Sequence, residues 1–377
     1  MDLVADMLLG SLHREHPDRL DASRVRPIMR RRFSSAGDEE GAGRISLNVD
    51  RGINRFWDYP RLLRRSWSDF DLFHVVDHSY GQLVHALPPQ RTVVTCHDLH
   101  TFQCILDANA PSRSLPFRRM TRRILDGMVR AGRVVFDTAA VRDDAVRLGV
   151  LRESQTAVVP LGVHPSCSPY PDAAADAEAR RHLATLPAGA IPLLHVGGTF
   201  RRKRIDLLLR IFAEVRRAVP AVHLVRVGGP LTAEQRRLAR ELGIESAVLE
   251  LPYLSREVLS AVYRAAALVL LPSEEEGFGL PVLEALACGT PVVASDLPVL
   301  REVGGSAAVF RPFGDGSAWR EAVLSLLGDE PDARNQRAMR RRDGIAQAAL
   351  FTWDEYGRKM IEIYEDMLGR VGDGNSN

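Results

Sequence analysis

Two glutamates, Glu276 and Glu284, stand eight positions apart around a glycine-bearing step, EGFGLPVLE. The run at 267–271 before them is apolar in the manner of a strand covered on both faces. Pro272 and Ser273 end it, and an acidic loop with Gly277 and Gly279 follows. Pro281 sits where the first turn of a helix tolerates proline, and the helix predicted over 282–288 stops at Gly289. TPVVAS (290–295) reads as the next buried strand. Amides around Gly277, Phe278, Gly279 and Leu280 would then face outward from a helix N-terminus, where free N–H groups and the dipole favour an anion. Glycine also lets backbone approach a ligand closely. Carboxylates beside a phosphate would repel it, so Glu276 and Glu284 better suit sugar hydroxyls. A ligand with phosphates in its middle and hydroxyl-rich sugars at both ends, a nucleotide-sugar, fits the layout. Taken alone, the same residues also suit an ordinary strand–helix unit with a solvated acidic loop.

A second cluster lies upstream. IPLLHV (191–196) reads as the opening strand of a sheet, followed by GGTFRRKR and a helix over 205–219. A glycine turn with cations at a helix start suits a diphosphate. Fixed cations there stabilise the charge that develops on a departing phosphate without reorganising. Gly198, Arg202 and Lys203 are the candidates, and Lys203 is one of only two lysines, Lys359 being the other.

The stretch 272–302, with Glu276, Gly277, Phe278, Gly279, Leu280, Pro281 and Glu284 followed by Ala285 and GTPVVAS, resembles the Glu-x7-Glu signature of retaining glycosyltransferases of the GT-B fold, family 4 type (glycosyl transferases group 1). GGTFRRKR resembles that family's Gly-x-x-x-x-Arg-Lys element, with Arg201 competing with Arg202 for alignment. The resemblance is strong over 159–368, traceable over 71–150 and faint before that. It implies an α/β protein of two Rossmann-like, doubly wound parallel-sheet domains facing a cleft. The acceptor-side domain is expected at 1–175 with a crossover helix at 353–369, and the nucleotide-sugar domain at 186–351.

By the same resemblance, Glu284 holds the donor ribose, Glu276 contacts the transferred sugar, and Arg202 and Lys203 grip the diphosphate. The implied reaction moves a sugar from a UDP- or GDP-linked donor to an acceptor hydroxyl with retention of anomeric configuration. The acceptor is a glycan, a lipid-linked group or a small molecule. No cofactor beyond the donor is implied, and no divalent metal, since Lys203 with Arg202 can supply the charge. Two other readings compete: an inactive GT-B binding or partner subunit, and a sugar-nucleotide epimerase. A phosphorylase of this fold would need a lysine placed for pyridoxal phosphate.

The N-terminal half must supply the rest. DLFHVV (71–76) and TVVTC (92–96) read as buried strands, and ligands in open parallel sheets bind beyond such strand ends. His97-Asp98-Leu99 resembles the tip that family members place against the transferred sugar, so His97 ranks first there and His78 behind it. RVVFD (133–137) and TAVVP (156–160) are further strands, and 165–176 reads as a linker. The family begins with a strand and a Gly-Gly loop, whereas this sequence opens on an amphipathic helical pattern through Leu3, Met7, Leu8 and Leu12. The first strand is therefore expected to be missing, from a reading frame that starts late. Residues 34–43 read as a loop and 53–67 as a helix. Basic residues at 24–32, and Arg118, Arg119, Arg122 and Arg123 on one helix face, are solvated charge or a peripheral contact with an anionic membrane surface.

Composition bounds these readings. A net charge of +2 gives no general attraction to nucleic acid. No apolar run approaches the roughly 18–20 residues of a spanning helix. The four cysteines, Cys96, Cys104, Cys167 and Cys288, lack zinc or redox spacing. A cytoplasmic location is the expectation, with the inner face of the membrane as the peripheral variant.

Overall fold

The computed structural model describes residues 2–15, 17–35, 43–107 and 109–374. The chain divides into two compact units: residues 1–161 with 353–377, and residues 162–352. Of the loop expected at 34–43, residues 36–42 lie outside the described residues.

The first unit opens with helix α1 (Asp2–Glu15), then α2 (Gly43–Ile53), a π-helical turn (Asn54–Asp58) and α3 (Tyr59–Ser66). The single helix expected over 53–67 is thus broken by a π turn. Asn54 is buried at that turn, where it bonds the Arg30 backbone in both directions at 2.7 Å. Asp50, also buried, accepts from the amides of Arg32 and Ser34 and from the Ser34 hydroxyl. Two polar side chains therefore fold an arginine-rich segment back on the helices. The sheet is β1 (Phe73–Val75), β2 (Thr92–Cys96), β3 (Arg133–Phe136) and β4 (Thr156–Val158), all parallel and in sequence order. Among the described residues no strand precedes Phe73. Helices α4 (Gln103–Leu106), α5 (Leu115–Arg130) and α6 (Ala139–Arg147) connect the strands. Every residue of β2 and β3 is buried, as runs of Val, Thr and Phe require in a sheet covered on both faces.

The second unit begins with α7 (Ala173–Leu183), so part of the expected linker is helical, capped by Asp172 on the amides of Ala174 and Ala175. Then come β5 (Ile191–Val196), α8 (Ile205–Ala218), β6 (Val222–Val227), α9 (Ala233–Glu241), β7 (Val248–Leu251), α10 (Arg256–Ala265), β8 (Leu268–Leu271), α11 (Leu280–Ala287), β9 (Val292–Ser295), α12 (Pro298–Gly304), β10 (Val309–Arg311), α13 (Gly316–Leu327) and α14 (Pro331–Ala348). The six parallel strands run β10-β9-β8-β5-β6-β7, so the order reverses at β5, a doubly wound sheet. Helix α8 buries Ile205, Leu208, Leu209, Ile211, Phe212 and Val215 against strand residues Leu193, Leu224 and Leu268 and against Trp319 of α13. Fully burying such side chains contributes about 1.5–3 kcal/mol each.

Helix α15 (Trp353–Gly374) then returns to the first unit. Tyr364 bonds His74 Nδ1 on β1 at 2.7 Å, and Asp366 pairs with Arg133 of β3 at 2.5 Å.

Candidate functional site

In the second unit, the carboxyl ends of β5 and β8 bring the two sequence clusters together. Loop residues 197–200 lead from β5 into a short 3-10 turn, Arg201–Lys203, that ends on Arg204 in the left-handed region (φ 46°). A non-glycine residue there costs of order 1–3 kcal/mol and persists only where its surroundings hold it. The hold is visible: the Arg204 guanidinium takes both oxygens of Asp206, at 2.9 and 2.8 Å, at the start of α8. The turn's backbone also accepts from the loop after β8, with Glu274 N to Arg202 O at 2.7 Å.

These constraints aim the side chains. Lys203 Nζ donates to Glu276 Oε1 at 2.6 Å, with 10% and 6% of the two side chains exposed. Arg202 lies 3.6 Å from the other oxygen of Glu276 and donates to the Glu275 carbonyl at 3.3 Å. Arg201 is exposed, so Arg202 is the arginine that joins the cluster. Two cations and one carboxylate thus share a largely desolvated spot, where their interactions are far stronger than on the surface.

Gly279 caps α11 with φ 93°, and a Cβ there would come within 2.5 Å of Leu300 Cδ2. Only glycine takes that conformation without strain. The amides of Val282 and Leu283 turn back to the Gly279 carbonyl, whereas those of Gly279 and Leu280 donate to no protein group among the described residues. The Phe278 side chain is buried edge-on against Phe351 at 6.0 Å, so only its backbone is available to a ligand. Glu284, one turn into α11, accepts from the Tyr263 hydroxyl of α10 at 2.9 Å. Burial raises its pKa above the ordinary glutamate value, and the bond from Tyr263 offsets part of the rise.

Three residues here carry roles that sequence reading missed. Arg226, wholly buried in β6, donates to the Gly197 carbonyl at 3.0 Å and toward Gly229 at 3.5 Å, fixing the glycine turns after β5 and β6. Gly228 is forced by the same approach, since a Cβ would sit 2.4 Å from the Gly197 oxygen. His195 lies buried beneath Gly197 with neither ring nitrogen bonded among the described residues. Burial and the charges of Arg226 and Lys203 push its pKa well below 6.5, so the ring is neutral. Tyr263 is the third, and it orients Glu284. A charged residue inside VHLVRV was the one available signal; the other two are ordinary core residues until the fold is known.

In the first unit, His97 stands just past β2. Its Nδ1 donates to Asp137 Oδ2 at 2.6 Å and its Nε2 to the Val76 carbonyl at 2.9 Å. The ring therefore cross-links the tips of β1 and β3. Burial works against its charge, but the Asp137 carboxylate and these bonds prevail and raise its pKa to about 9. It is an imidazolium at neutral pH with both N–H groups engaged. His78 is buried beside it, bonding Thr101 through Nε2 and accepting from the His97 amide through Nδ1. Among the described residues no cluster of three metal-ligating side chains exists, and no helix is long and apolar enough to cross a membrane.

Comparison with known proteins bears on both units. A model described as glycosyl transferases group 1 matches residues 181–343, and one described as glycosyltransferase family 4 matches residues 23–166. D-inositol 3-phosphate glycosyltransferase of Nocardia farcinica is 32% identical over 317 residues, 79% of this chain and 67% of the relative. The enzyme of the same name from Thermomonospora curvata is 33% identical, covering 78% and 71%. The chain belongs to the family 4 glycosyltransferases. Among solved structures, sucrose-phosphate synthase of Thermosynechococcus elongatus superposes with a TM-score of 0.68 at 26% identity, covering 85% of this chain and 80% of that one. Anabaena HepE in complex with UDP and glucose gives 0.68 at 18%, covering 86% and 89%, a likeness of fold. The glycosyltransferase thus has the GT-B arrangement of two parallel-sheet α/β domains, and the cluster just described lies within the match to the group 1 model.

Proposed function

We propose that this glycosyltransferase transfers a sugar from a UDP- or GDP-linked donor to an acceptor hydroxyl with retention of configuration and without a metal ion. The observation that supports this reading best is the Lys203–Glu276 pair at 2.6 Å with Arg202 beside it. A donor diphosphate takes Lys203, Arg202 and the amides of Gly279 and Leu280, with Gly198 leaving room for the backbone approach. Glu284, oriented by Tyr263, accepts from the ribose hydroxyls. Glu276, relieved of part of its pairing with Lys203, turns to the hydroxyls of the transferred sugar.

In the step itself, the acceptor oxygen bonds the anomeric carbon on the face from which the diphosphate departs. The C–O bond to phosphate breaks, and a phosphate oxygen takes the acceptor's proton. The cations stabilise charge on the leaving group as it forms, and the Glu276 carboxylate favours the positive charge at the anomeric carbon. His97 is the candidate in the first unit, a fixed positive charge at the tips of β1 and β3. The acceptor class is open among a glycan, a lipid-linked group and a small molecule. Relatives named for D-inositol 3-phosphate make a phosphorylated cyclitol the first acceptor to try.

The test is a panel of nucleotide-sugars with acceptors, the product anomer read by NMR in the presence of a chelator. Retained configuration with chelator present is expected, and Lys203→Ala should lower kcat about 10²–10³-fold. An inverted product, a demand for divalent metal or an unchanged Lys203→Ala enzyme would overturn the mechanism. Conversion of donor without acceptor would point to an epimerase, and no donor binding at all to a partner subunit.

A further inference from the structure

In the first unit, α2, the π turn and α3 follow one another without a break from Gly43 to Ser66, and Ile53 and Tyr59 on either side of the turn stay helical. The inward side of this helix is marked by Leu47, Asp50, Asn54 and Leu63, all buried. Asp50 and Asn54 bond the backbone of residues 30–34 and so strap that segment along the helix. The outward side is apolar. Ile45 and Val49, one turn apart, are 71% and 45% exposed, Trp57 is 58% and Leu62 45%. On the strap, Ile28 and Phe33 are 90% and 63% exposed. Single apolar side chains in water are ordinary, but six large ones gathered on one strapped helix mark an interaction surface.

Positive charge accompanies them. Residues 24–33 and 45–65 contain ten arginines and two aspartates. Neither aspartate offsets that charge at the surface: Asp50 is buried under the strap, and Asp58 takes the Arg32 guanidinium at 2.8 Å through both oxygens. Asp38, Glu39 and Glu40 of the connecting segment lie outside the described residues, and with them the stretch 24–65 still carries eleven arginines to five acids. Arg51, Arg61, Arg64 and Arg65 are exposed on the helix. The Arg61 guanidinium lies 3.3 Å over the Trp57 ring, so an apolar body and a cation are presented together, as the headgroup layer of a bilayer favours.

We propose that this face docks on an anionic phospholipid bilayer, with Ile28, Phe33, Ile45 and Trp57 at the headgroup–acyl boundary and the arginines on the lipid phosphates. A second copy of the chain fits badly, because a two-fold contact would set the same arginines against one another. A nucleic acid would engage the cations and leave the apolar side chains in water. The docking stands independently of the sugar-transfer reading.

The experiment sediments the full chain with vesicles of equal parts phosphatidylglycerol and phosphatidylcholine, and with phosphatidylcholine alone, at low and high salt. Binding to the anionic vesicles alone is expected, falling as salt screens the surface charge. Ile45→Ser with Trp57→Ser should weaken it about ten-fold, and Arg64→Gln with Arg65→Gln by about the same factor, with the thermal unfolding midpoint unchanged in both. Brominated lipid should quench tryptophan fluorescence in the wild type and much less in Trp57→Phe, which still binds. Failure to bind anionic vesicles, or binding that survives both pairs of substitutions and is lost in Arg118→Gln with Arg119→Gln of α5, would overturn the proposal. So would a dimer in solution that the Ile45 and Trp57 substitutions dissociate, or binding to RNA, tighter than to vesicles, that the arginine pair weakens and the apolar pair does not.

Discussion

His97 shows how much a single residue can be asked to hold. Its two N–H groups span from Asp137 to the Val76 carbonyl, and its pKa in the fold, about 9, lies above the ordinary 6.5. A group whose pKa is raised on folding contributes stability that is fully present below about pH 6.5 and is lost as pH climbs through 9. The difference is on the order of 3 kcal/mol. Thermal unfolding of the first unit should therefore soften between pH 7 and pH 10, and Asp137→Asn should flatten that slope while lowering stability at pH 6. A slope that is the same in both proteins would show that the pair does not carry it. At this scale the sequence was half legible. Glu276, Arg202 and Lys203 meet because two strand ends lie side by side, and glycine turns advertised those ends. Asp137, Tyr263 and Arg226 escaped notice because a carboxylate at a strand tip, a tyrosine in a helix and an arginine in a strand declare their roles only through partners distant in sequence.

Among the elements, α11 is the most constrained. Its cap needs a left-handed residue, and its packing leaves a Cβ no room beside Leu300. Gly279→Ala should cost about 1–3 kcal/mol in stability and, on the proposed donor site, weaken nucleotide binding more than that loss alone explains, because the displaced amides are those proposed to take the diphosphate. Calorimetry and denaturant titration on one preparation would check this; a variant with wild-type midpoint and affinity would refute it. Strands were easy to read here, since buried runs such as TVVTC and LVLL have no competing period. Helix boundaries were harder. The helix α12 begins at Pro298 directly after β9 and was read only as continuing pattern, and the π turn at Asn54–Asp58 depends on bonds to Arg30 that local propensity does not encode.

For the whole molecule, the decisive element is the last helix. Trp353, Tyr356, Met360, Ile361, Tyr364 and Met367 are all buried in the first unit. At about 1.5–3 kcal/mol each, their burial contributes on the order of 10 kcal/mol, comparable to the entire stability of an ordinary domain. A chain ending at Thr352 should lose amide protection across β1–β4 while the second unit, continuous in sequence, keeps its own. Protection retained at β2 and β3 in that truncated chain would show that α15 is dispensable. The doubly wound second sheet and the return of the terminal helix were legible because the signature residues fix them. The arrangement of residues 17–35 and 43–69 was not, since the polar anchors Asp50 and Asn54 look like surface residues in a string of letters.

The return of α15 also sets a timetable for synthesis. The ribosome makes all of residues 162–352 before the segment that completes the first sheet's support, so the earlier-encoded unit waits through that synthesis, its apolar faces in need of protection. A nascent chain arrested near residue 352 is accordingly the form in which a chaperone would find the most to bind.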